Sequence, residues 1–164
     1  MKIIKALLLL TIVFSVSSCI KDDNNPTRIY AITANVDGAA TSFNTNVTST
    51  TGTTSGGVLT TIKGNASDGS TLSITIKGDI VQGKTYSAST VGATQTPIIS
   101  YLLGSDTYLN NDAGANLVSV TITEASDTLV EGTFKGDLAT VATGDATVKN
   151  KAITNGIFTA KVVK

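Results

Sequence analysis

Reactive side chains are few in this chain of 164 residues: it has one cysteine, Cys19, and no histidine. Without histidine, neither a Ser-His-Asp triad nor a Cys-His pair can be assembled. The commonest general base at neutral pH is missing. Structural zinc sites rest on Cys and His, and catalytic ones on at least one His, so no metal centre of that kind is expected. A carboxylate pair or a Ser-Lys pair remains chemically open, but no G-x-S-x-G element frames a nucleophile. The acids Asp37, Asp68, Asp79, Asp106, Asp112, Glu124, Asp127, Glu131, Asp137 and Asp145 are scattered, most of them beside Gly, Asn or Ser. In that company a short acidic side chain bonds its own backbone, so they read as turn formers first. The composition points away from an enzyme and implies no cofactor.

The stretch YLLGSDTYLNNDAGAN, residues 101 to 116, is the richest in groups that could bind something. Tyr101 and Tyr108 with Asn110 and Asp112 could form an aromatic-and-amide rim for a glycan or peptide. The simpler reading is a strand whose tyrosines are core, followed by a polar loop, because apolar-faced strands use Tyr routinely. The alternation Asn110, Asp112, Gly114, Asn116 also invites a calcium loop. It lacks the bidentate acid such a loop needs at its twelfth position, where Thr121 falls when counting starts at Asn110.

The cysteine sits at the end of a greasy run. Lys2 and Lys5 form a basic start, and Ala6 to Val16 is almost wholly apolar. About 11 residues at 1.5 Å each is too short for a bilayer core of roughly 30 Å. The run has the length of a helical signal-peptide core, and small serines follow it. A free thiol near a new N-terminus invites unwanted pairing in a secreted protein. Val16-Ser17-Ser18-Cys19 resembles the bacterial lipobox, in which the cysteine thiol receives diacylglycerol, the chain is cut before it, and its amine is acylated. Two or three acyl chains hold a protein firmly where one does not. An unlipidated secretory signal and a retained membrane anchor are the alternatives. Behind the cysteine, Lys21, Asp22 and Asp23 read as a solvated tether continued by Asn24, Asn25 and Pro26. They also resemble the export signal of surface lipoproteins of the Bacteroidota, which implies display on the outer membrane.

The elements behind these residues read as strands. Threonine, valine and isoleucine are abundant, which favours pleated surfaces. In TLSITIKG, Leu72, Ile74 and Ile76 share a face; in LVSVTITE, Val118, Val120 and Ile122 do; in LVEGTFKG, Val130 and Phe134; in IFTAKVV, Phe158, Ala160 and Val162; in YAITANVDG, Tyr30, Ile32, Ala34 and Val36. Period two with one apolar face predicts half-buried antiparallel strands. Turns are predicted at Asp37-Gly38, Asn65 to Gly69, Gly78-Asp79, Gly83-Lys84, Asp112 to Gly114, Ala125 to Asp127, Gly144-Asp145 and Asn155-Gly156. The low-complexity TSTTGTTSGG, residues 48 to 57, reads as a hairpin tip or connecting loop. IKGN, IKGD and FKGD, starting at 62, 76 and 134, each read as a strand end followed by a Gly-Asx turn.

From residue 19 onward, 10 basic residues face 12 acidic ones, a net charge of −2 with no basic stripe, so nucleic acid is not an expected partner. The expected organisation is a lipoprotein signal peptide over 1–18, a flexible tether over 19–27 and a single β domain over 28–164. The expected fold is all-β, an antiparallel two-layer β-sandwich, with a closed lipocalin-like β-barrel as the alternative.

Four stretches carry a wider resemblance: ITANVDGAATSFN (32 to 44), IKGNASDGSTLSITI (62 to 76), VTITEASDTLVEGTFKG (120 to 136) and ITNGIF (153 to 158). Together they resemble a family of small Bacteroidota lipoproteins of uncharacterised function, with Gly132-Thr133-Phe134 and Thr154-Asn155-Gly156-Ile157-Phe158 as its late strands. The resemblance covers most of residues 30 to 162, implies a β domain, and brings no catalytic residues. The expected function is a lipid-anchored surface module that binds an extracellular glycan or protein. A carrier of small apolar ligands is the alternative, and a carboxylate-dependent hydrolase a further one. Asp127-Thr128-Leu129 also resembles a Bacteroidota O-glycosylation acceptor.

Overall fold

A computed structural model describes residues 28–87, 97–111, 113–140 and 147–164. Cys19, Lys21, Asp22, Asp23 and Asp112, and the expected turn at Gly144-Asp145, lie outside the described residues. The chain is all-β. Its strands are β1 (Ala31–Val36), β2 (Ala39–Phe43), β3 (Thr45–Thr54), β4 (Gly57–Asn65), β5 (Thr71–Lys77), β6 (Thr85–Ser87), β7 (Ile98–Leu103), β8 (Asp106–Asn110), β9 (Ser119–Ala125), β10 (Leu129–Thr140) and β11 (Asn150–Val163).

All eleven belong to one sheet, in the order β2-β1-β11-β3-β4-β5-β7-β8-β10-β9-β6, with a further ladder between β10 and β11. Every pairing is antiparallel except β11 with β3, which is parallel over Lys161–Val163. The two longest strands explain the partial ring closure. One edge of β11 pairs with β10; the other pairs first with β1 and then, past Thr159, with β3. Likewise β10 pairs with β9 over Val130–Lys135 and with β8 over Leu138–Thr140. The run β11-β3-β4-β5-β7-β8-β10 therefore returns to its start, while β1–β2 and β9–β6 continue outward from it.

The expected faces are buried as alternation requires: Leu72, Ile74 and Ile76, then Val118, Val120 and Ile122, then Phe158 and Ala160. Fully burying each aliphatic side chain of this size contributes about 1.5–3 kcal/mol. The two G-x-F stretches meet. Gly132 lies opposite Phe158, Thr133 opposite Ile157, and Phe134 opposite Gly156. Each glycine lets the partner strand's ring lie over its backbone, and the two rings sit 6.3 Å apart. A Cβ on Gly132 would fall 2.3 Å from the Thr121 carbonyl oxygen and 2.5 Å from Phe158 Cζ.

Three local expectations are corrected. Asn155-Gly156 is no turn: it lies inside β11, where the register shifts against both neighbours, between Thr33 and Asn35 and between Phe134 and Gly136. Asn155 takes a left-handed φ of 52°, which an asparagine tolerates and a β-bulge accommodates. Lys135-Gly136-Asp137 sits within β10 at the same irregularity, not at a strand end. Residues 48 to 57 do hold the expected hairpin tip, at Ser55-Gly56, but the loop is shorter than expected: Thr48 to Thr54 is paired strand, from Thr48 opposite Lys63 to Thr54 opposite Gly57, because Thr-rich segments suit a ladder.

Candidate functional site

The tyrosines of the expected rim lie in the core. Tyr101 on β7 and Tyr108 on β8 face each other, 4% and 3% exposed, with rings 5.9 Å apart. Phe43 meets Tyr101 edge-on at 6.0 Å. Asn110 is a clamp: its Oδ1 accepts from the Ile99 amide and its Nδ2 donates to the Pro97 carbonyl, both at 2.8 Å. The described part of the following loop is organised by Asp137, whose Oδ2 accepts from the Asn116 amide at 2.9 Å and whose carbonyl accepts from Asn111. Tyr101, Tyr108 and Asn110 thus hold a hairpin together, and the two rings do not face solvent. Among the described residues no three His, Cys, Asp or Glu side chains are grouped to hold a metal ion.

The same end carries an ionic clasp. Lys151 Nζ reaches Asp37 Oδ2 at 2.6 Å, and the Ala152 amide donates to Asp37 Oδ1 at 2.9 Å. These bonds, the lysine's first, hold the Asp37 carboxyl below its ordinary range, and the Asp37 bond raises Lys151. On the outer face of the sheet, Glu124 and Glu131 lie opposite each other on β9 and β10. Arg28 sits 3.9 Å from both, so this carboxylate pair is an exposed ion cluster rather than an acid/base couple in a cleft.

One phosphate-binding spacing went unread in the sequence. Gly78-Asp79-Ile80-Val81-Gln82-Gly83-Lys84-Thr85 matches G-x-x-x-x-G-K-[ST], whose backbone amides cradle phosphate ahead of a helix. Here it joins β5 to β6, both strands. Four of its amides are already donated: Gly78 to Val58 O, Gly83 to Ile122 O, Lys84 to Val81 O, and Val81 to the Tyr86 hydroxyl. Lys84 Nζ lies 4.6 Å over the Tyr86 ring. With these four amides engaged and a strand in place of the helix, the stretch is a tied-down connection rather than a phosphate cradle.

The bulge in β11 builds a different site. It lies beside a concavity of about 460 Å³ on the outer face of β9, β10 and β11, lined by Ser119, Thr121, Thr133, Lys135, Asn155 and Ile157 among others. A second hollow of about 220 Å³ continues on the far side of Asn155, against Thr33, Asn35, Thr41 and Ser42. Between them runs a row set by cross-strand register: Thr85, Thr121, Thr133, Ile157, Thr33, Ser42. Five strand spacings of about 4.8 Å make this row roughly 24 Å long. Ile157 at its centre is 56% exposed, and the Thr85 and Thr121 hydroxyls bond at 2.8 Å. The groove offers hydroxyls, an amide, one ammonium and one aliphatic contact, with neither a nucleophile–base pair nor a carboxylate among these lining residues. Comparisons with protein-family models, with curated proteins and with solved structures find no match for this chain.

Proposed function

We propose that the chain is a lipid-anchored bacterial surface lipoprotein whose β domain is a non-enzymatic binding module for an extended extracellular glycan. The anchor is Cys19, and Lys21, Asp22 and Asp23 direct display on the outer face of the outer membrane. The domain is a two-layer sandwich, with β2-β1-β11-β10-β9-β6 as one layer and β3-β4-β5-β7-β8 as the other. The Phe43–Tyr101 contact supports that arrangement, because β2 and β7 stand far apart in sheet order yet their rings touch.

The observation that carries the binding reading is the bulge. A left-handed asparagine in the middle of the longest strand, out of register with both neighbours, re-aims one amide into a groove of hydroxyls. Bulges of this kind recur where a side chain must be redirected. A linear glycan presents hydroxyls along its length, matching the spaced hydroxyl row, and Ile157 supplies a contact for a sugar's apolar face. A glycan array probed with the detergent-solubilised protein tests this. Binding is expected, and Asn155→Gly, which keeps the backbone and removes the amide, should weaken it together with Lys135→Ala. Undiminished binding by both variants, or binding to proteins but to no glycan, would reject the groove as a glycan site.

A further inference from the structure

A third concavity, of about 390 Å³, opens at the end of the domain where β9 turns into β10. Its deepest residues are Ser49, Thr60 and Val130, 2%, 4% and 5% exposed. Ser49 and Thr60 are two of the three buried polar side chains found among the described residues, so the hydroxyls hidden from solvent concentrate on this floor. A hydroxyl in an apolar interior is costly unless it is hydrogen-bonded. Thr60 meets that need through Thr51 at 3.0 Å. The Ser49 hydroxyl has no partner among the described residues. No side-chain polar atom fully sealed from solvent goes without one there, so the Ser49 hydroxyl opens into the cleft.

Val58, Ile80, Ala125 and Val162 form apolar walls. The mouth carries the exposed acids Asp79 and Asp127 beside Ser126. Lys164 Nζ lies 3.6 Å from Asp127, and among the described residues Asp79 has no ion-pair partner, so the mouth is weighted toward negative charge. The cleft is polar at the bottom, apolar along its sides and acidic at its lip.

We propose that this cleft binds a small aliphatic amine with a distal hydroxyl. The ammonium sits with Asp79 and Asp127 at the lip, the alkyl part packs on Val58, Val130 and Val162, and the far hydroxyl meets Ser49 on the floor. This site is independent of the glycan groove and of the anchor. Amide NMR shifts of the full chain in a non-ionic detergent test it, with aminopentanol, pentylamine and hydroxypentanoate as probes. Aminopentanol should bind saturably, with shifts confined to Ser49, Thr60, Asp79 and their neighbours. Pentylamine should bind about three- to tenfold more weakly, the ratio expected for one neutral hydrogen bond. Hydroxypentanoate should not bind. Ser49→Ala should remove the advantage of aminopentanol over pentylamine, and Asp79→Asn should weaken both amines alike. The absence of saturable shifts with aminopentanol, equal binding of hydroxypentanoate, or parent-like binding by both variants would overturn the proposal.

Discussion

Replacing Gly132 by alanine tests whether the reciprocal Gly–Phe pairing holds the centre of the sheet. The added methyl would lie 2.3 Å from the Thr121 carbonyl oxygen, 2.5 Å from Phe158 Cζ and 2.9 Å from Phe158 Cε1. The ring could swing away, but it belongs to a core residue with no exposure. The carbonyl oxygen is backbone of β9, and moving it disturbs the β9–β10 ladder. Overpacking costs about 1–3 kcal/mol, occasionally more, and a backbone clash places this case at or above the upper end. At roughly 3–6 °C per kcal/mol for a domain of this size, the melting temperature should fall by about 10 °C or more. Gly52→Ala is the control, because a Cβ there meets nothing within 4 Å. Freed of steric cost, it should be neutral or stabilise by up to about 1 kcal/mol through the unfolded chain. The assay is chemical denaturation of both variants, with Phe158→Ala added to complete a double-mutant cycle. Part of the Gly132→Ala penalty should vanish once the ring is gone, giving a coupling of about 0.5–3 kcal/mol. A Gly132→Ala cost below about 0.5 kcal/mol, the scatter of ordinary surface substitutions, would refute the packing account.

The remaining predictions concern the core, the clasp and the bulge. Phe134→Ala should cost about 3–5 kcal/mol in denaturation, since that ring is core; a cost under 1 kcal/mol would contradict its burial. The lowered Asp37 carboxyl contributes stability that is fully present above its unfolded value, near pH 4, and is lost as the pH falls through the folded value. Both partners are partly solvated, so Asp37→Asn should cost only about 0.2–1 kcal/mol at pH 7, and the gap to the parent should close on acidification. Asn155→Val, forcing a β-branched residue to a positive φ, should destabilise by about 1–3 kcal/mol, whereas Asn155→Gly should be close to neutral.

Most strand faces were legible because period two reports directly which side chains meet the core, as at Leu72, Ile74 and Ile76. The routine use of Tyr on apolar-faced strands made core positions the simpler reading for Tyr101 and Tyr108, and both rings are buried. What eluded the sequence was long-range register. Gly132-x-Phe134 and Gly156-x-Phe158 are visible as motifs, yet their reciprocal pairing depends on the antiparallel register of β10 and β11. Asn155-Gly156 carries turn chemistry, and a left-handed asparagine serves a bulge as well as a turn; only pairing on both edges of β11 decides between them. The outer groove follows from that bulge, so it was invisible for the same reason. The end cleft draws Ser49, Thr60, Asp79 and Asp127 from segments distant in the chain, and no spacing rule connects them. The G-x-x-x-x-G-K-[ST] spacing shows the opposite failure, a local pattern without the following helix that gives it chemistry.

Intact mass analysis of the protein isolated from its membranes tests the anchored-module account most directly. The account predicts a mature chain beginning at Cys19, heavier than its unmodified sequence by a diacylglyceryl group and an N-linked acyl chain. A mature N-terminus at any other residue, or a free thiol at Cys19, would contradict it.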